Sequence, residues 1–153
     1  MTDTDQIRRT IALYAMLLDD FRADEWADLF MEDAVWISNT GIYEPPTDSP
    51  LTETKGRNAI LSIGQEFARN VGATEAKSLH FNSTPLIDVT GTTANAWWDF
   101  VVFHTDKTGF TIRATGRIYA EFVKQGDAWR FTKRANVRSG GTMPPRLAQV
   151  PRC

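Results

Sequence analysis

The chain has 153 residues, of which 42% are hydrophobic and 24% charged, enough apolar material for the core of one globular domain. A formal net charge of -2 with scattered Lys and Arg residues gives no electrostatic reason to expect a nucleic acid or a membrane as partner. No apolar run reaches the roughly 18 residues that span a bilayer, and the polar N-terminus differs from a secretory signal. A single cysteine, Cys153, excludes an intrachain disulfide, so we expect a cytoplasmic protein.

The first seventy residues carry the signals of helices. Apolar residues recur at three- and four-residue spacing in two segments, and Asp3 or Thr4 is the expected N-cap of the first. A segment with three prolines separates the helical segments and is predicted to be irregular. The predicted elements are helices over 4–21, 24–31 and 57–71, a strand over 34–38 and a loop over 44–54.

From about residue 76 the apolar pattern changes to period two, which is typical of strands. Short turn-like separators between the runs predict an antiparallel meander. Helices first and sheet second predict an α+β domain with the helices packed on one face of the sheet. We expect a single domain over 1–153, with its core in 5–137 and an irregular tail over 138–153. The strand-like runs are 76–89, 93–105, 110–124 and 128–137.

Alternation along the strand over 110–124 predicts which of its side chains face the interior. The even positions, among them Phe110 and Ile112, are apolar or small and are therefore predicted to face inward. Arg113 and Arg117 fall on the other face and are predicted to face outward.

The strand over 93–105 follows the same rule. Its even positions include Trp98, Phe100 and His104, which we expect on the inner face. Its odd positions are apolar as well, and an apolar outer face predicts a contact between copies of the chain.

One acid and one histidine suggest chemistry at the interior. Asp19 closes the first helix, and His80 lies in the first strand-like run. Both His80 and His104, which lies in the next run, are expected to face one apolar cavity. A carboxylate that orients an imidazole makes a general base near neutral pH, because free histidine titrates near pH ~6.5.

This layout resembles the nuclear transport factor 2-like fold and, within it, the SnoaL-like group. The resemblance implies a cone-shaped barrel in which three N-terminal helices close over a strongly curved, mixed and mainly antiparallel sheet. It covers roughly residues 5–137. The motifs that carry it are Tyr14…Asp19, Ala27-Asp-Leu-Phe30-Met-Glu-Asp33-Ala34-Val-Trp36, Lys55-Gly56-Arg57-Asn-Ala-Ile60 and Gly126-Asp-Ala-Trp129-Arg-Phe131.

The resemblance also implies site residues. Scytalone dehydratase, bile acid 7α-dehydratase and hexachlorocyclohexane dehydrochlorinase are elimination enzymes of this fold that use an Asp at the end of the first helix and a His after the third. Asp19 and His80 match those positions. Tyr14 matches a Tyr of the bile acid enzyme, and His104 falls near a second catalytic His of scytalone dehydratase. These relatives need no metal or cofactor, so we expect neither.

Each of these residues also has a plain structural interpretation. Asp19 could be an ordinary residue at a helix end, and His80 a solvated strand residue. Tyr14 could belong to the core, and His104 could be exposed before a turn. Four further residues are candidates for substrate binding, although ordinary core is an equal interpretation for each: Trp36, Trp98, Phe100 and Ile112.

Three functions follow from these patterns. The first is a cofactor-free lyase of dehydratase or dehydrohalogenase type, acting on a small hydrophobic or polycyclic substrate through the Asp-His dyad. The second is an isomerase or cyclase of a polyketide or terpenoid that uses the same dyad. The third is a non-catalytic binding or oligomerisation subunit. In each case we expect a homodimer or homotrimer.

Overall fold

In the computed structural model, which describes residues 1–38 and 51–139, three helices pack on a curled seven-stranded sheet. This is the α+β architecture that the sequence predicted. The elements are α1 (Asp3–Asp19), α2 (Ala23–Ala27), β1 (Phe30–Ser38), β2 (Thr52–Lys55), α3 (Arg57–Gly72), β3 (Lys77–Asn82), β4 (Leu86–Thr90), β5 (Thr93–Asp106), β6 (Gly109–Gln125) and β7 (Ala128–Arg138).

The sheet is mixed and does not close. Its strand order is β2-β1-β7-β6-β5-β3, and β3 and β4 lie end to end along one edge of β5. The strands β4 to β7 form the expected antiparallel meander, whereas β1 pairs parallel with β7. Among the described residues no ladder joins the edge strands β2 and β3, so the barrel implied by the resemblance is open.

Several element boundaries differ from the predictions. The second helix ends at Ala27 rather than near 31, because the fully buried Phe30 pairs with Phe131 and begins β1. The run over 76–89 is broken between Asn82 and Leu86, where Pro85 has no N–H to donate to a ladder. The last part of the predicted loop forms β2, while residues 44–50 and most of the predicted tail lie outside the described residues.

The N-cap of α1 is Thr2 rather than Asp3 or Thr4. The Thr2 hydroxyl accepts a hydrogen bond from the backbone N–H of Asp5 at 3.2 Å, and the Asp5 carboxylate accepts one from the backbone N–H of Thr2 at 3.3 Å. This reciprocal capping box satisfies two N–H groups at the helix start. The helix therefore begins one residue before the predicted segment.

The main core lies between the helices and the inner face of the sheet. Trp26, Phe30 and Phe131 are completely buried there, and the core continues along the inner faces of β5 and β6. A smaller apolar row crosses the outer face through four paired strands. Its members, all less than 10% exposed, are Ile37, Trp97, Tyr119 and Ala135.

A β-bulge on β6 reverses the alternation of its first residues. Val102 pairs with Ala114 and Phe103 pairs with Ile112, so Arg113 is an extra residue on β6. The inward prediction therefore holds beyond the bulge and is wrong before it. Phe110 and Ile112 are 70% and 61% exposed, and Arg113, predicted to face outward, lines the interior cavity.

A second bulge acts in the same way on β7. Phe122 pairs with Phe131 and Glu121 pairs with Lys133, which leaves Thr132 as the extra residue. Counting by twos from Phe131 would put the odd positions inside. The bulge instead gives the inner face a polar row, which consists of Arg134, Asn136 and Arg138.

Candidate active site

A cavity opens between the helices and the inner face of the sheet. It has an interior volume of about 100 Å³ within about 860 Å³ of atom-free space that includes its open mouth. Leu18 of α1, Phe67 of α3 and Val102 of β5 are part of an apolar wall. A dry cavity of ~150 Å³ can hold benzene, so the scale is that of a small organic molecule.

Asp19 and His80 meet at the wall of this cavity. The Asp19 Oδ1 atom lies 2.5 Å from His80 Nδ1, and Asp19 Oδ2 accepts the backbone N–H of His80 at 2.8 Å. The two side chains are only 13% and 17% exposed. Because the carboxylate occupies Nδ1, the hydrogen-bond network assigns the ring proton to Nδ1 and leaves Nε2 as the basic nitrogen.

The position of Asp19 is unfavourable for the helix alone. It is the last residue of α1, where the backbone carbonyls give the helix end a partial negative charge. The two hydrogen bonds from His80 offset this repulsion, since α1 packs against β3. Asp19 thus stabilises the contact between α1 and β3 at a cost to the stability of the helix end.

His104 lies beside His80 on the same face of the sheet. His80 pairs with Val102, so His104, two residues further along β5, is its diagonal neighbour. Burial lowers the pKa of His104, and the positive charge of Arg113 lowers it further. A neutral His104 can donate one ring N–H to a ligand but is a poor source of a full proton.

Tyr14 lines the cavity from α1 and is 4% exposed. Its ring packs edge-on against Phe30 and Phe131, with centroids 6.1 and 5.8 Å away. Burial raises the pKa of the Tyr14 phenol, so the hydroxyl stays protonated. Tyr14 can therefore act as a hydrogen-bond donor to a group inside the cavity.

The four substrate-binding candidates separate into three positions. Trp36 and Phe100 line the cavity. Trp98 is buried in the core and reaches the cavity only indirectly, because its Nε1 donates a hydrogen bond at 3.0 Å to Oδ1 of the lining residue Asn82. Ile112 lies on the outer face and is not part of the cavity, because the bulge at Arg113 turns it outward.

The polar wall formed by β7 was not predicted from the sequence. Asn136 Oδ1 accepts hydrogen bonds from Trp36 Nε1 at 2.5 Å and from Arg134 Nη1 at 3.1 Å, and Asn136 Nδ2 donates to Ser38 Oγ at 3.3 Å. Arg134 is 4% exposed, and its guanidinium carbon lies 3.9 Å from the ring centroid of Tyr14. The alternation Arg134, Asn136, Arg138 was the available signal, but it is typical of an outer face.

Within residues 1–38 and 51–139 no cluster of three or more His, Cys, Asp or Glu side chains is placed to hold a metal ion. None of the helices in the same residues is both long and apolar enough to cross a membrane.

Comparison with known families identifies the family of the chain. A family model described as "SnoaL-like domain" matches residues 1–135. The chain therefore belongs to the SnoaL-like family, as its motifs indicated. No curated protein matches the chain at a significant level.

Solved structures share the fold over nearly the whole chain. An NTF2-like protein with a cystatin-like fold from Novosphingobium aromaticivorans is 26% identical, with a TM-score of 0.78, and the match covers 97% of this chain and 90% of that one. A protein of the same organism, provisionally named scytalone dehydratase, is also 26% identical, with a TM-score of 0.68 and coverage of 91% and 89%.

A third structure shows the fold alone. The β subunit of a provisionally assigned aromatic-ring-hydroxylating dioxygenase from Novosphingobium aromaticivorans is 20% identical, with a TM-score of 0.69 and coverage of 92% and 90%. The neighbours of this fold thus include a dehydratase-like protein and a subunit of a larger assembly.

Proposed function

We propose that the chain is a cofactor-free lyase that eliminates water or hydrogen halide from a small, largely apolar substrate. The observation that supports this most strongly is the contact of 2.5 Å between Asp19 Oδ1 and His80 Nδ1 at the wall of an open cavity. The likeness to a protein provisionally named scytalone dehydratase agrees with the same reaction class.

His80 is the base in this proposal. Its Nε2 removes a proton from the carbon beside the one that carries the leaving group. The electron pair of the broken C–H bond forms the new double bond, and the leaving group departs with its own bonding pair. Asp19 fixes the ring and stabilises the imidazolium that forms.

Tyr14 and His104 assist the leaving group. A halide needs only a hydrogen bond, whereas a hydroxyl must gain a proton to leave as water. Burial keeps Tyr14 protonated, and the lowered pKa of His104 keeps that imidazole neutral. Both side chains are therefore hydrogen-bond donors here, and the proton that His80 removes can return to a departing hydroxyl.

The dyad is tested with two conservative variants, His80→Gln and Asp19→Asn. Each should lower turnover by about 10²–10⁴, the usual contribution of a positioned base. Turnover is measured as loss of water or halide by mass spectrometry on a panel of small β-hydroxy and β-halo carbonyl compounds. Far-ultraviolet circular dichroism checks that the variants fold.

Asp20→Asn is the matched control, because Asp20 is the adjacent acid but is exposed at the end of α1. It should keep turnover within about twofold of the wild type. Near-normal turnover in both folded dyad variants would exclude the proposed base.

The mass of the product distinguishes elimination from isomerisation or cyclisation by the same dyad. Elimination lowers the mass by that of water or hydrogen halide, whereas isomerisation leaves the mass unchanged. A purely structural module would need neither the short contact between Asp19 and His80 nor the open cavity beside them.

We also propose that the protein is a homo-oligomer. Large apolar side chains are exposed together on the outer face of β3, β5 and β6, and this surface is called the outer apolar patch. Phe103 joins two of them, with ring centroids 5.5 Å from Phe81 and 6.0 Å from Phe110. The patch consists of Leu79, Phe81, Phe103, Phe110 and Ile112.

A further inference from the structure

Arginine side chains bring positive charge to the wall of the cavity. The guanidinium groups of Arg113, Arg134 and Arg138 line it together with two histidines. None of the described lining residues is an acid, and Asp19 is already engaged by the ring and backbone of His80. The described lining residues therefore supply no negative charge to balance Arg113 and Arg134.

Arg134 is the clearest case of a buried positive charge without a carboxylate partner among the described residues. It is 4% exposed, its Nη1 donates to Asn136, and its guanidinium lies over the ring of Tyr14. Its Nε has no hydrogen-bond partner in the part of the chain that the structure describes. Burial lowers the pKa of Arg134, yet a guanidinium remains charged in proteins. A buried charge without a carboxylate is unfavourable for folding.

Some exposed arginines elsewhere in the fold do pair with carboxylates. Arg22 lies 2.5 Å from Glu25, and Arg117, on the outer face of the same strand as Arg113, lies 2.8 Å from Asp99. These pairs are exposed, where a carboxylate is least needed to stabilise a charge. Arg134, in contrast, is buried and has no carboxylate partner among the described residues.

Arg113 adds charge at the same cavity. It lies at the bulge of β6, and its charge contributes to lowering the pKa values of His104 and Arg138. The positive charges of Arg113 and Arg134 at one cavity favour a negatively charged ligand there. An anionic ligand in the cavity would be stabilised by both of these charges.

We propose that the substrate carries a carboxylate, which binds to Arg134 in the field of Arg113; this deepens, and rests on, the proposed lyase function. The planar fork of a guanidinium matches the two oxygens of a carboxylate and forms strong charge-assisted hydrogen bonds. The apolar wall then holds the remainder of a small molecule.

The reaction is consistent with this group. His80 removes the proton from the carbon beside the carboxylate, and the negative charge that develops is shared with the carboxylate oxygens. The guanidinium stabilises this charge. The electron pair then forms the double bond as the leaving group departs from the next carbon with its bonding pair. The product is an α,β-unsaturated carboxylate.

The test compares two probes of nearly the same shape, trans-cinnamate and the uncharged cinnamamide, by isothermal titration calorimetry at constant ionic strength. The wild-type protein should bind cinnamate about tenfold or more tightly than cinnamamide, because hydrogen bonds to charged groups contribute on that scale. Equal affinity, or no binding of either probe, would overturn the proposal.

Arg134→Gln should reduce this ratio to about twofold or less. Arg113→Gln should also lower the ratio of the two affinities. Because Arg113 is exposed, this variant should fold, and it tests the proposal if Arg134→Gln does not fold. Arg117→Gln, on the outer face of β6, is the matched control and should keep the full ratio. A full ratio in the folded Arg134 and Arg113 variants would mean that cinnamate binds elsewhere.

His80→Gln separates the two proposals. It should keep the preference for cinnamate while losing turnover. A kept preference with normal turnover would remove the lyase proposal and leave the carboxylate site. A loss of turnover in His80→Gln, together with equal affinities of the wild-type protein for cinnamate and cinnamamide, would remove the carboxylate site and leave the lyase proposal.

Discussion

Arg134 illustrates how a single residue can serve a site at the expense of the fold. It is buried beside Tyr14 and Asn136 without a carboxylate partner among the described residues. Asp19, held at the unfavourable end of α1, is a second example. Residues that violate the usual rules of stability are expected at functional sites.

Arg134→Met should therefore stabilise the protein in the absence of ligand. Methionine has a similar length and removes the buried charge, so the free energy of unfolding should rise by about 1 kcal/mol or more. Urea denaturation followed by circular dichroism measures this. Arg117→Met, at an exposed site, should change stability by no more than about 0.5 kcal/mol. A clear loss of stability in Arg134→Met would show that Tyr14 and Asn136 already compensate the charge.

The sequence was sufficient for some site residues and not for others. Asp19, His80, Tyr14 and His104 could be singled out because their types and places are unusual in local patterns and match known enzymes. Arg134 could not, because a polar residue alternating with Ala135 and Val137 is normally a sign of the outer face. Only the pairing of β7 with β6 shows that this rule is reversed here.

At the scale of elements, the two bulges determine the character of the cavity. Each inserts one residue, Arg113 in β6 and Thr132 in β7, and the inner and outer faces of each strand are exchanged between the two sides of its bulge. Periodicity identified the helices over 57–71 and the long strands well, because these depend on local patterns. It could not locate a bulge, which depends on how two strands pair.

Gly116 lets β6 and β7 approach each other closely where it pairs with Arg138. A Cβ at this position would lie 2.2 Å from the Val137 carbonyl oxygen and 2.8 Å from both Arg138 Cα and a ring carbon of Phe100. Two of these contacts are to backbone, which cannot move aside without shifting the strand that carries Arg138.

Gly116→Ala should therefore lower the free energy of unfolding by about 1–3 kcal/mol, in the range of other overpacked sites. Gly72→Ala is the matched control. Its Cβ would meet only Phe21 ring atoms at ordinary contact distances of 3.7 Å or more, and alanine favours the helix. Urea denaturation of both variants is the measurement, and equal stability of the two would contradict the packing argument.

At the scale of the whole molecule, the outer apolar patch is left exposed in a single copy of the chain. In the outer apolar patch, Phe81, Phe110 and Ile112 are 58%, 70% and 61% exposed. Apolar clusters of this kind usually mark a contact between molecules. The patch lies on the opposite face of the sheet from the cavity, so association there would leave the cavity open.

Phe81→Glu should shift the protein toward the monomer, because it places a charge at the centre of the proposed interface. Sedimentation velocity of the wild type and the variant measures this. Met16→Glu is the matched control, since Met16 is 62% exposed on α1, away from the patch, and should leave the association state unchanged. A wild-type protein that sediments as a monomer at high concentration would refute the prediction.

The double grip of Asp19 on His80 has a consequence for how this protein could be altered. One carboxylate accepts hydrogen bonds from both the main chain and the imidazole of the same residue, so the tilt of the first helix and the orientation of the proposed base are coupled. Redesign for larger substrates would therefore have more freedom in the β5 and β6 wall, for example at Val102 and Ala114. Changes that displace α1 would directly alter the orientation of the proposed base.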